Sequence, residues 1–233
     1  MAAAAGPFST RIRSFVMRAG RMTAGQEQGW QQGFPQFGLT VAQGALDWDR
    51  TFGSPGRRVL EIGFGMGDSL LQMAQAEPEA QFVGIEVHRP GVGRLLSQAL
   101  GWGIRNLRVY AEDAVDVLSQ CMAPASLDAV HIFFPDPWHK KRHHKRRLIQ
   151  SKFIGDLAHL IREDGYLHLA TDWAPYAEHM FDVLDAEPRL TNAGGACRTA
   201  VARPDYRPVT KFELRGERLG HAVQDLIYLR APT

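Results

Sequence analysis

The stretch VLEIGFGMGD, residues 59–68, decides the fold of this chain. Its first four residues are mostly apolar and predict a buried strand, while glycines at three alternate positions predict a tight backbone turn. An amphipathic pattern typical of a helix follows over Gly67–Ala76. A buried strand that runs through a glycine-rich turn into a helix is the first half of a βαβ unit. The stretch therefore predicts an α/β domain with a ligand site beside the glycines.

The same alternation of strands and helices continues along most of the chain. Apolar runs predict strands over Arg58–Ile62, Gln81–Val87, Leu107–Ala111, Leu127–Phe134 and Gly165–Ala170. Amphipathic stretches predict helices over Gly67–Ala76, Pro90–Leu100, Ala114–Gln120, Arg146–Ile161 and Pro175–Ala186. A final run, His221–Leu229, predicts an antiparallel strand at the C-terminal edge of the sheet. We expect a doubly wound α/β fold with a mostly parallel sheet.

The composition narrows the class of protein. With 233 residues, 45% of them hydrophobic and 22% charged, the chain is typical of one soluble globular domain. No run approaches the roughly 18 consecutive apolar residues that a membrane-spanning helix needs. The two cysteines, Cys121 and Cys197, predict neither a disulfide framework nor a metal site. They favour a reducing compartment, and we expect a cytoplasmic protein.

The chain divides into two parts. Residues 1–50 predict a basic, partly mobile N-terminal arm with an approach segment, and residues 51–233 predict a single domain. The first 26 residues contain no acid but four arginines, namely Arg11, Arg13, Arg18 and Arg21. We interpret them as an arm that contacts a polyanion, although the same composition also suits a transit peptide or an inert tail.

Acidic residues mark the ends of the predicted strands. In a doubly wound sheet, ligands bind outside the carboxyl ends of the strands. Each of the five predicted strands has an acid at its end or within two residues of it; these acids are Glu61, Glu86, Asp113, Asp136 and Asp172. This regularity along one edge of the sheet predicts a site.

The glycine loop favours one class of cofactor. Asp68 stands where the dinucleotide pattern G-x-G-x-x-G has its third glycine. A pyrophosphate at the start of the helix would meet this carboxylate, which disfavours NAD and FAD. A ligand with a cationic amino-acid end and no phosphate meets no such repulsion, and S-adenosylmethionine is such a ligand. We expect it to contact Glu61 and the glycines Gly63, Gly65 and Gly67.

Two further acids complete the expected donor site. Glu86 lies 19 positions after Gly67, where a carboxylate accepts hydrogen bonds from ribose hydroxyls in dinucleotide folds. Asp113 follows the third strand, where it could hold an adenine amino group. The alternative for each is a solvated acid or, for Asp113, an N-cap of the next helix.

The motif FPDPW, residues 134–138, follows the fourth predicted strand. Its two prolines restrict the backbone on either side of Asp136. Trp138 offers a flat face on which a base could stack. The alternative is a rigid turn that happens to expose a tryptophan.

A basic run begins directly after this motif. Six of the eight residues 140–147 are Lys or Arg and none is acidic, whereas the rest of the chain holds 21 basic and 25 acidic residues. A concentrated basic patch on an acidic body indicates a docking site for a polyanion, the alternative being a solvated helix face. His143 and His144 lie among these cations, which would repel a metal ion, so we expect no metal site.

With these motifs, the chain resembles the tRNA (guanine-N7)-methyltransferase family in its bacterial single-chain form. The resemblance rests on the blocks Arg13–Gln26, Glu61–Gly67, Gly84–His88, Phe134–Arg147, Ala170–Tyr176 and Thr210–Leu226. The block FPDPWHKKRHHKRR, residues 134–147, is highly specific, which the glycine loop alone is not. His139 stands where the family commonly has proline, but Asp136 and Lys140 are in place.

The resemblance implies a Rossmann-like methyltransferase fold and the transfer of a methyl group from S-adenosylmethionine to N7 of a guanine in tRNA, at position 46 of the variable loop. The donor site would take Glu61, Glu86, Asp113 and Asp136, and Asp136 would also be catalytic. The substrate side would take Lys140, Asp172, Thr210, Lys211, Phe212 and Glu213. The RNA contacts would come from Arg142, His143, His144, Lys145, Arg146 and Arg147. The implied partner is tRNA, without a membrane or an obligate protein partner, and the oligomeric state stays open.

Three alternative classes are weaker. A methyltransferase of small molecules or proteins would leave the basic run without a role. A non-enzymatic RNA-binding protein on this fold would be expected to lack the donor-loop acids, and Glu61, Glu86 and Asp136 are all present. An NAD-linked oxidoreductase is disfavoured by Asp68.

Overall fold

The computed structural model describes Ser14 and residues 21–195, 198–210, 213–214, 220 and 222–232. Its strands are β1 (Gly38–Leu39), β2 (Arg58–Ile62), β3 (Gln81–Ile85), β4 (Leu107–Tyr110), β5 (Leu127–Phe133), β6 (Ile161–Thr171), β7 (Leu190–Asn192) and β8 (Gln224–Arg230). Its α-helices are α1 (Ala24–Phe37), α2 (Trp48–Phe52), α3 (Asp68–Ala76), α4 (Arg89–Gly101), α5 (Ala114–Cys121), α6 (Ser151–Leu160) and α7 (Ala174–Asp185). Most of the predicted basic arm, the substrate residues Lys211 and Phe212, and Cys197 lie outside the described residues.

All these strands form one sheet, in the order β1-β4-β3-β2-β5-β6-β8-β7. Strands β1 to β6 pair in parallel, whereas β8 runs antiparallel to both β6 and β7. The prediction of a doubly wound, mostly parallel sheet with an antiparallel C-terminal strand is thus confirmed. The outermost place, however, is taken by the short β7. Strand β8 pairs on both sides and is therefore an interior strand, in which Asp225, Leu226 and Tyr228 are buried.

Helices cover both faces of the sheet, and each face has its own apolar core. On one face, α3 and α4 pack through Leu70 and Leu95 in the same cluster as Val59. On the other face, α6 packs through Ile154 in the same cluster as Leu60. Neighbouring residues of β2 therefore point into opposite cores, as the two-residue period of a strand requires.

Helix α1 packs on α4 through glycines. A Cβ atom on Gly29 would lie 2.2 Å from the carbonyl oxygen of Gly93, and one on Gly33 would lie 2.8 Å from Cβ of Leu96. The strand that follows, β1, pairs with β4 at the edge of the sheet. Residues 24–39, which fall within the predicted arm and approach segment, therefore pack on the sheet and extend it.

The basic run and the helix after it differ from the prediction. The predicted helix over Arg146–Ile161 begins later, as α6 at Ser151, and Arg146 is instead the last residue of a 3-10 helix, Lys141–Arg146. The backbone is extended at Arg147, with φ −56° and ψ 136°. This break places Arg147 and the buried Ile149 against the body of the protein rather than on a helix surface.

The strand order creates a switch point at β2. From β2, the chain adds β3 and β4 on one side and then returns to add β5 and β6 on the other. The register aligns the strand ends, since Ile62 pairs with Ile85 and Ile85 pairs with Tyr110. In this topology, ligands bind in the crevice at the carboxyl ends of the strands beside the switch point.

Candidate active site

A cleft opens at this switch point, bounded by the segments that follow β2, β3, β4 and β5. It is lined by Ser14, Ile62, Gly63, Ile85, Glu86, Val87, Glu112, Asp113, Ala114, Phe133, Phe134, Pro135, Asp136 and Leu148. The structure therefore brings together four of the residues predicted for the donor site, namely Gly63, Glu86, Asp113 and Asp136. A cleft with several carboxylates in its lining favours a cationic ligand.

The glycine loop turns tightly between β2 and α3. Gly63, Gly65 and Gly67 have φ values of 78°, 58° and 81°, in the left-handed region that favours glycine. At Gly67, a Cβ atom would also lie 2.7 Å from the side chain of Leu95. Gly67 therefore has two reasons to be glycine, its backbone conformation and the close approach of α4.

Asp68 has a cationic partner that the sequence did not indicate. Its carboxylate forms an ion pair with Arg94 at 2.6 Å, and Arg94 also donates to the carbonyl oxygen of Met66 at 2.7 Å. This pairing ties the glycine loop to α4. It also offsets part of the charge of Asp68, so the electrostatic argument against a bound pyrophosphate is weaker than the sequence alone suggests.

Glu61 is a buried acid within β2, with only 2% of its surface exposed. Burial, followed by the negative charge of Glu86, raises the pKa of Glu61 to about 8. Its Oε2 atom has no hydrogen-bond partner among the described residues. Glu61 is not itself among the residues that line the cleft, but the next residue, Ile62, is. Buried polar atoms are normally satisfied, so this unpaired oxygen suits a polar group of a bound ligand. S-adenosylmethionine, which carries N–H and O–H donors, fits this requirement.

Glu86 supports the glycine loop directly. Its Oε2 accepts a hydrogen bond from the backbone N–H of Gly65 at 2.8 Å, and its Oε1 accepts one from His88 at 2.8 Å. Each carboxylate oxygen has two lone pairs, so Glu86 keeps acceptor capacity for ligand hydroxyls. Sequence reasoning proposed only the contact with a ribose and missed this supporting role.

Asp113 is an N-cap that also lines the cleft. Its Oδ1 accepts a hydrogen bond from the backbone N–H of Val115 at 3.0 Å, at the start of α5. The capping interpretation is therefore confirmed. The proposed contact with adenine remains a prediction, and the position of Asp113 in the cleft lining is compatible with it.

The FPDPW loop forms the wall of the cleft next to β5. Phe134 and Trp138 have φ values of 51° and 46°, which are uncommon for residues other than glycine and often mark functional loops. Asp136 between them is exposed. The indole of Trp138 donates to the carbonyl oxygen of Ser14 at 3.1 Å, and the guanidinium of Arg146 lies 4.3 Å from its ring centre. Base stacking on Trp138 therefore competes with the chain's own arginine.

The basic run forms a cationic surface beside this loop. The exposed side chains in it are those of Lys140, Lys141, Arg142 and Lys145. Partial desolvation and the charges of Arg142, Arg146, Lys140 and Lys145 lower the pKa of His143. This shift favours the neutral imidazole, as expected in a strongly positive field. His144 is half-buried, and its ring contacts Arg147.

Arg147 departs from the prediction that it contacts RNA. Only 5% of its surface is exposed, and its Nε atom donates to the carbonyl oxygen of Pro137 at 3.0 Å. The extended backbone between the 3-10 helix and α6 turns its side chain inward. As placed here, it is a buried member of an otherwise accessible run.

Of the predicted substrate residues, the four that the structure describes, Lys140, Asp172, Thr210 and Glu213, do not line the cleft. Lys140 is exposed, and Asp172 is half-buried just after β6. Glu213 is 5% exposed, and its carboxylate accepts hydrogen bonds from Arg207 at 2.6 and 3.1 Å. Its backbone N–H donates to the hydroxyl of Thr210 at 3.1 Å. The carboxylate of Glu213 is thus engaged by a buried arginine, and its contact with the substrate stays a prediction.

Sequence reasoning missed a buried polar network around Arg207. This arginine is fully buried and also donates to Asp225 at 2.6 and 2.9 Å. Asp225 contacts His168 at 2.7 Å, and His168 contacts the Tyr206 hydroxyl at 2.9 Å. Burial lowers the pKa of His168 despite the opposing effect of Asp225. The available signal was a polar residue at an inward position of an apolar strand, His168 in β6 and Asp225 in β8.

The described residues hold neither a long apolar helix nor a cluster of potential metal ligands. No helix there has both the length and the apolar character needed to cross a membrane. No group of three or more His, Cys, Asp and Glu side chains in that part of the chain could hold a metal ion. Cys121 is buried and forms no disulfide.

Comparison with known sequences gives consistent matches. Residues 56–226 match a family model described as a putative methyltransferase. The chain is 56% identical over 218 residues to the tRNA (guanine-N(7)-)-methyltransferase of Pseudomonas entomophila. This match covers 93% of this chain and 90% of that protein. It is 55% identical over 221 residues to the protein of the same name from Stutzerimonas stutzeri, covering 94% and 92%.

Solved structures give the same fold at low sequence identity. A variant of the 16S rRNA (adenine(1408)-N(1))-methyltransferase from Catenulisporales acidiphilia, with its cosubstrate SAM, matches with a TM-score of 0.54 and 16% identity, over 80% of this chain and 92% of that chain. An rRNA methylase from Streptococcus thermophilus matches with a TM-score of 0.51 and 10% identity, over 76% and 88%. At these identities, the likeness concerns the fold alone.

Proposed function

Because the chain belongs to the tRNA (guanine-N7)-methyltransferase family, we propose that the cleft at the switch point holds the methyl donor and that the FPDPW loop orients the target guanine beside it. The reaction is transfer of a methyl group from S-adenosylmethionine to N7 of a guanine in tRNA. Following the resemblance in the block FPDPWHKKRHHKRR, we further propose position 46 of the variable loop as the target and the cytoplasm as the place of action.

The proposal rests on the closeness of the acid-rich cleft to the basic 3-10 helix. Asp136 lines the acid-rich cleft, and two residues later Trp138 contacts Arg146 of the basic 3-10 helix. A single short loop therefore connects a surface that favours a cationic small molecule with a surface that favours a polyanion. A methyltransferase of small molecules would have no use for the second surface.

The donor site follows from the acceptors around the cleft. When bound, S-adenosylmethionine supplies an electrophilic methyl group on a sulfonium centre. We assign the ribose hydroxyls to Glu86 and the adenine amino group to Asp113, and we assign a further donor group to the unpaired Oε2 of Glu61. The backbone of Gly63 and Gly65 offers close approach because neither residue carries a side chain.

The acceptor needs orientation rather than activation. N7 of guanine has an in-plane lone pair that is unprotonated at neutral pH, so no strong general base is required. The protein must align the methyl transfer and stabilise the positive charge that develops on the purine. The carboxylate of Asp136, exposed at the cleft, can do both. Asp172 follows β6, the neighbour of β5, and we propose it as a second carboxylate on the same edge.

The cationic surface supplies affinity for tRNA. Lys140, Arg142 and Lys145 are exposed, and Arg146 is half-exposed above Trp138. Contacts of such side chains with phosphates position the RNA and make its affinity depend on salt, without reading sequence. The choice of guanine then rests on the FPDPW loop and the cleft.

The experiment that tests the proposal uses the purified full chain, labelled methyl donor and unmodified tRNA. After digestion, the label is expected in 7-methylguanosine. The control is the same tRNA with 7-deazaguanosine at position 46, which has a carbon in place of N7 and can accept no methyl group there. Label that persists with the control tRNA would contradict the proposed target. Label that enters only small molecules would favour the alternative class of methyltransferase.

A further inference from the structure

Arg147 differs from the rest of the basic run in its environment. Its neighbours Lys145 and Arg142 are exposed, and Arg146 is half-exposed, whereas Arg147 is 5% exposed. Phosphates reach exposed cations, so burial removes Arg147 from the set that can contact RNA in this conformation. Burial also lowers the pKa of its guanidinium. The presence of an arginine at this buried position therefore needs an explanation other than contact with RNA.

The side chain of Arg147 contacts Pro137, His144 and Tyr176. Its Nε atom donates to the carbonyl oxygen of Pro137 at 3.0 Å. One terminal nitrogen lies 3.1 Å from Nε2 of His144, and the guanidinium lies 4.8 Å from the ring centre of Tyr176. Tyr176 is fully buried, and its hydroxyl lies 3.4 Å from the backbone nitrogen of Ile149. The guanidinium is therefore held on a fixed ring and directed at one carbonyl of the loop.

That carbonyl belongs to the residue after Asp136. The proline rings fix φ at Pro135 and Pro137, but they do not fix the orientation of the peptide plane between Pro137 and Trp138. Trp138 has a φ of 46°, a conformation that persists only where surrounding contacts hold it. The hydrogen bond from Arg147 fixes this peptide plane at the carbonyl of Pro137. It thereby limits the positions that the backbone of Asp136 can take.

The partners of Arg147 indicate that geometry rather than charge pairing matters here. Among the described residues they are a carbonyl, an imidazole and an aromatic ring, and no carboxylate forms an ion pair with it. A buried cation without an ionic partner is costly to desolvate. Arg suits the place because its rigid planar fork can stack on a ring and donate a hydrogen bond at the same time, which an ammonium cannot do.

We propose that Arg147 is a positioning residue for methyl transfer, acting through the carbonyl of Pro137 to hold Asp136 at the mouth of the cleft, and that it is not a phosphate contact. This inference rests on the proposed function. It separates the basic run into an outer set that binds tRNA and one inner residue that couples the run to the catalytic loop.

The test compares Arg147→Ala and Arg147→Lys with two controls in the full chain. Arg142→Ala removes an exposed cation of the same run. Arg105→Ala removes an exposed arginine at the opposite, amino edge of the sheet, beside the start of β4. Two quantities are measured for each protein: the slope of log affinity for tRNA against log salt, and the single-turnover rate at saturating enzyme and donor. Circular dichroism and thermal unfolding show which variants are folded.

The expected results separate the two roles. Arg142→Ala should reduce the salt slope by about 0.7–0.9, the value for one lost phosphate contact, and Arg105→Ala should change neither quantity. Arg147→Ala should leave the slope unchanged and lower the single-turnover rate by about 10-fold or more. Arg147→Lys keeps the charge and most of the packing, so it should fold, keep the slope and still lose rate. A loss of slope in the Arg147 variants at an unchanged rate would overturn the inference.

Hydrogen exchange of the peptide over residues 134–146 gives a readout that does not depend on activity. Exchange there should be faster in both Arg147 variants than in the parent, and unchanged in Arg105→Ala. If the parent protein fails to methylate tRNA, the proposed function fails. The positioning role is then decided by this exchange measurement alone, and unchanged exchange in Arg147→Lys would refute it.

Discussion

Replacement of Glu61 by glutamine should stabilise the free enzyme and weaken its binding of the donor. Glu61→Gln keeps the shape of the side chain and removes its ability to ionise. Burial and the charge of Glu86 raise the pKa of Glu61 from 4.5 to about 8 in the folded protein. For a carboxyl whose pKa is raised by folding, the stabilising contribution is complete below the unfolded pKa. It is lost as the pH rises through the folded pKa.

The magnitude follows from the two pKa values. A rise from 4.5 to about 8 corresponds to roughly 5 kcal/mol of unfolding free energy, all of it lost well above pH 8. Between pH 6 and pH 8, the unfolding free energy of the parent should fall by about 2 kcal/mol relative to that of the glutamine variant. In this range the folded parent holds a proton on Glu61 that is released on unfolding, and release becomes easier as the pH rises. Glutamine carries no such proton.

Urea unfolding of both proteins at pH 6, 7 and 8 measures this difference. Other groups titrate in both proteins and cancel when the two are compared. The control is Glu79→Gln, which removes an exposed carboxyl and should give no difference that grows with pH. Calorimetry with S-adenosylmethionine should show weaker binding to Glu61→Gln. Unfolding free energies of parent and Glu61→Gln that run parallel from pH 6 to pH 8 would refute the reasoning.

Three further predictions concern the two sides of the site. Glu86→Ala should weaken binding of S-adenosylmethionine by roughly 1.5–3 kcal/mol, the range for hydrogen bonds to a charged group, and calorimetry on a folded variant checks this. Joint replacement of Arg142, Lys145 and Arg146 by alanine should flatten the salt dependence of tRNA binding by about 0.7–0.9 per lost phosphate contact, with little change in donor affinity; an unaltered slope would show that this surface does not touch RNA. Asp136→Asn should lower single-turnover methylation by on the order of 100-fold or more, while tRNA binding stays within a few-fold, and a variant that reacts at the parent rate would make Asp136 only part of a turn.

The donor half of the site was accessible from the sequence because it is encoded locally. Each acid there lies near the end of a short apolar strand or just after it, and the parallel topology brings the strand ends to one edge. The predicted strand Arg58–Ile62 has the bounds found in the structure, and Glu86 and Asp113 lie in the cleft as expected. Burial of Glu61 and its raised pKa were not evident, because they depend on which neighbours pack around β2.

Other features could not be predicted because no periodic pattern of apolar residues encodes them. Helix α1 packs through Gly29 and Gly33, and a search for hydrophobic stripes overlooks a contact made by small residues. The inward turn of Arg147 depends on Tyr176, which is distant in sequence and reaches it only through the fold. Nothing in the local sequence distinguishes Arg147 from the exposed Arg142 of the same run.

Two buried arginines connect the acceptor side of the site to one element. Arg147 binds the carbonyl of Pro137, while Arg207 holds Glu213 and places its guanidinium 5.9 and 5.8 Å from the ring centres of Phe133 and Phe134. Arg147 of the basic run and Arg207, which lie sixty positions apart in the sequence, thus both contact the chain between the end of β5 and Trp138. Because protein interiors are close-packed, these two contacts restrict the positions that are open to the loop carrying Asp136.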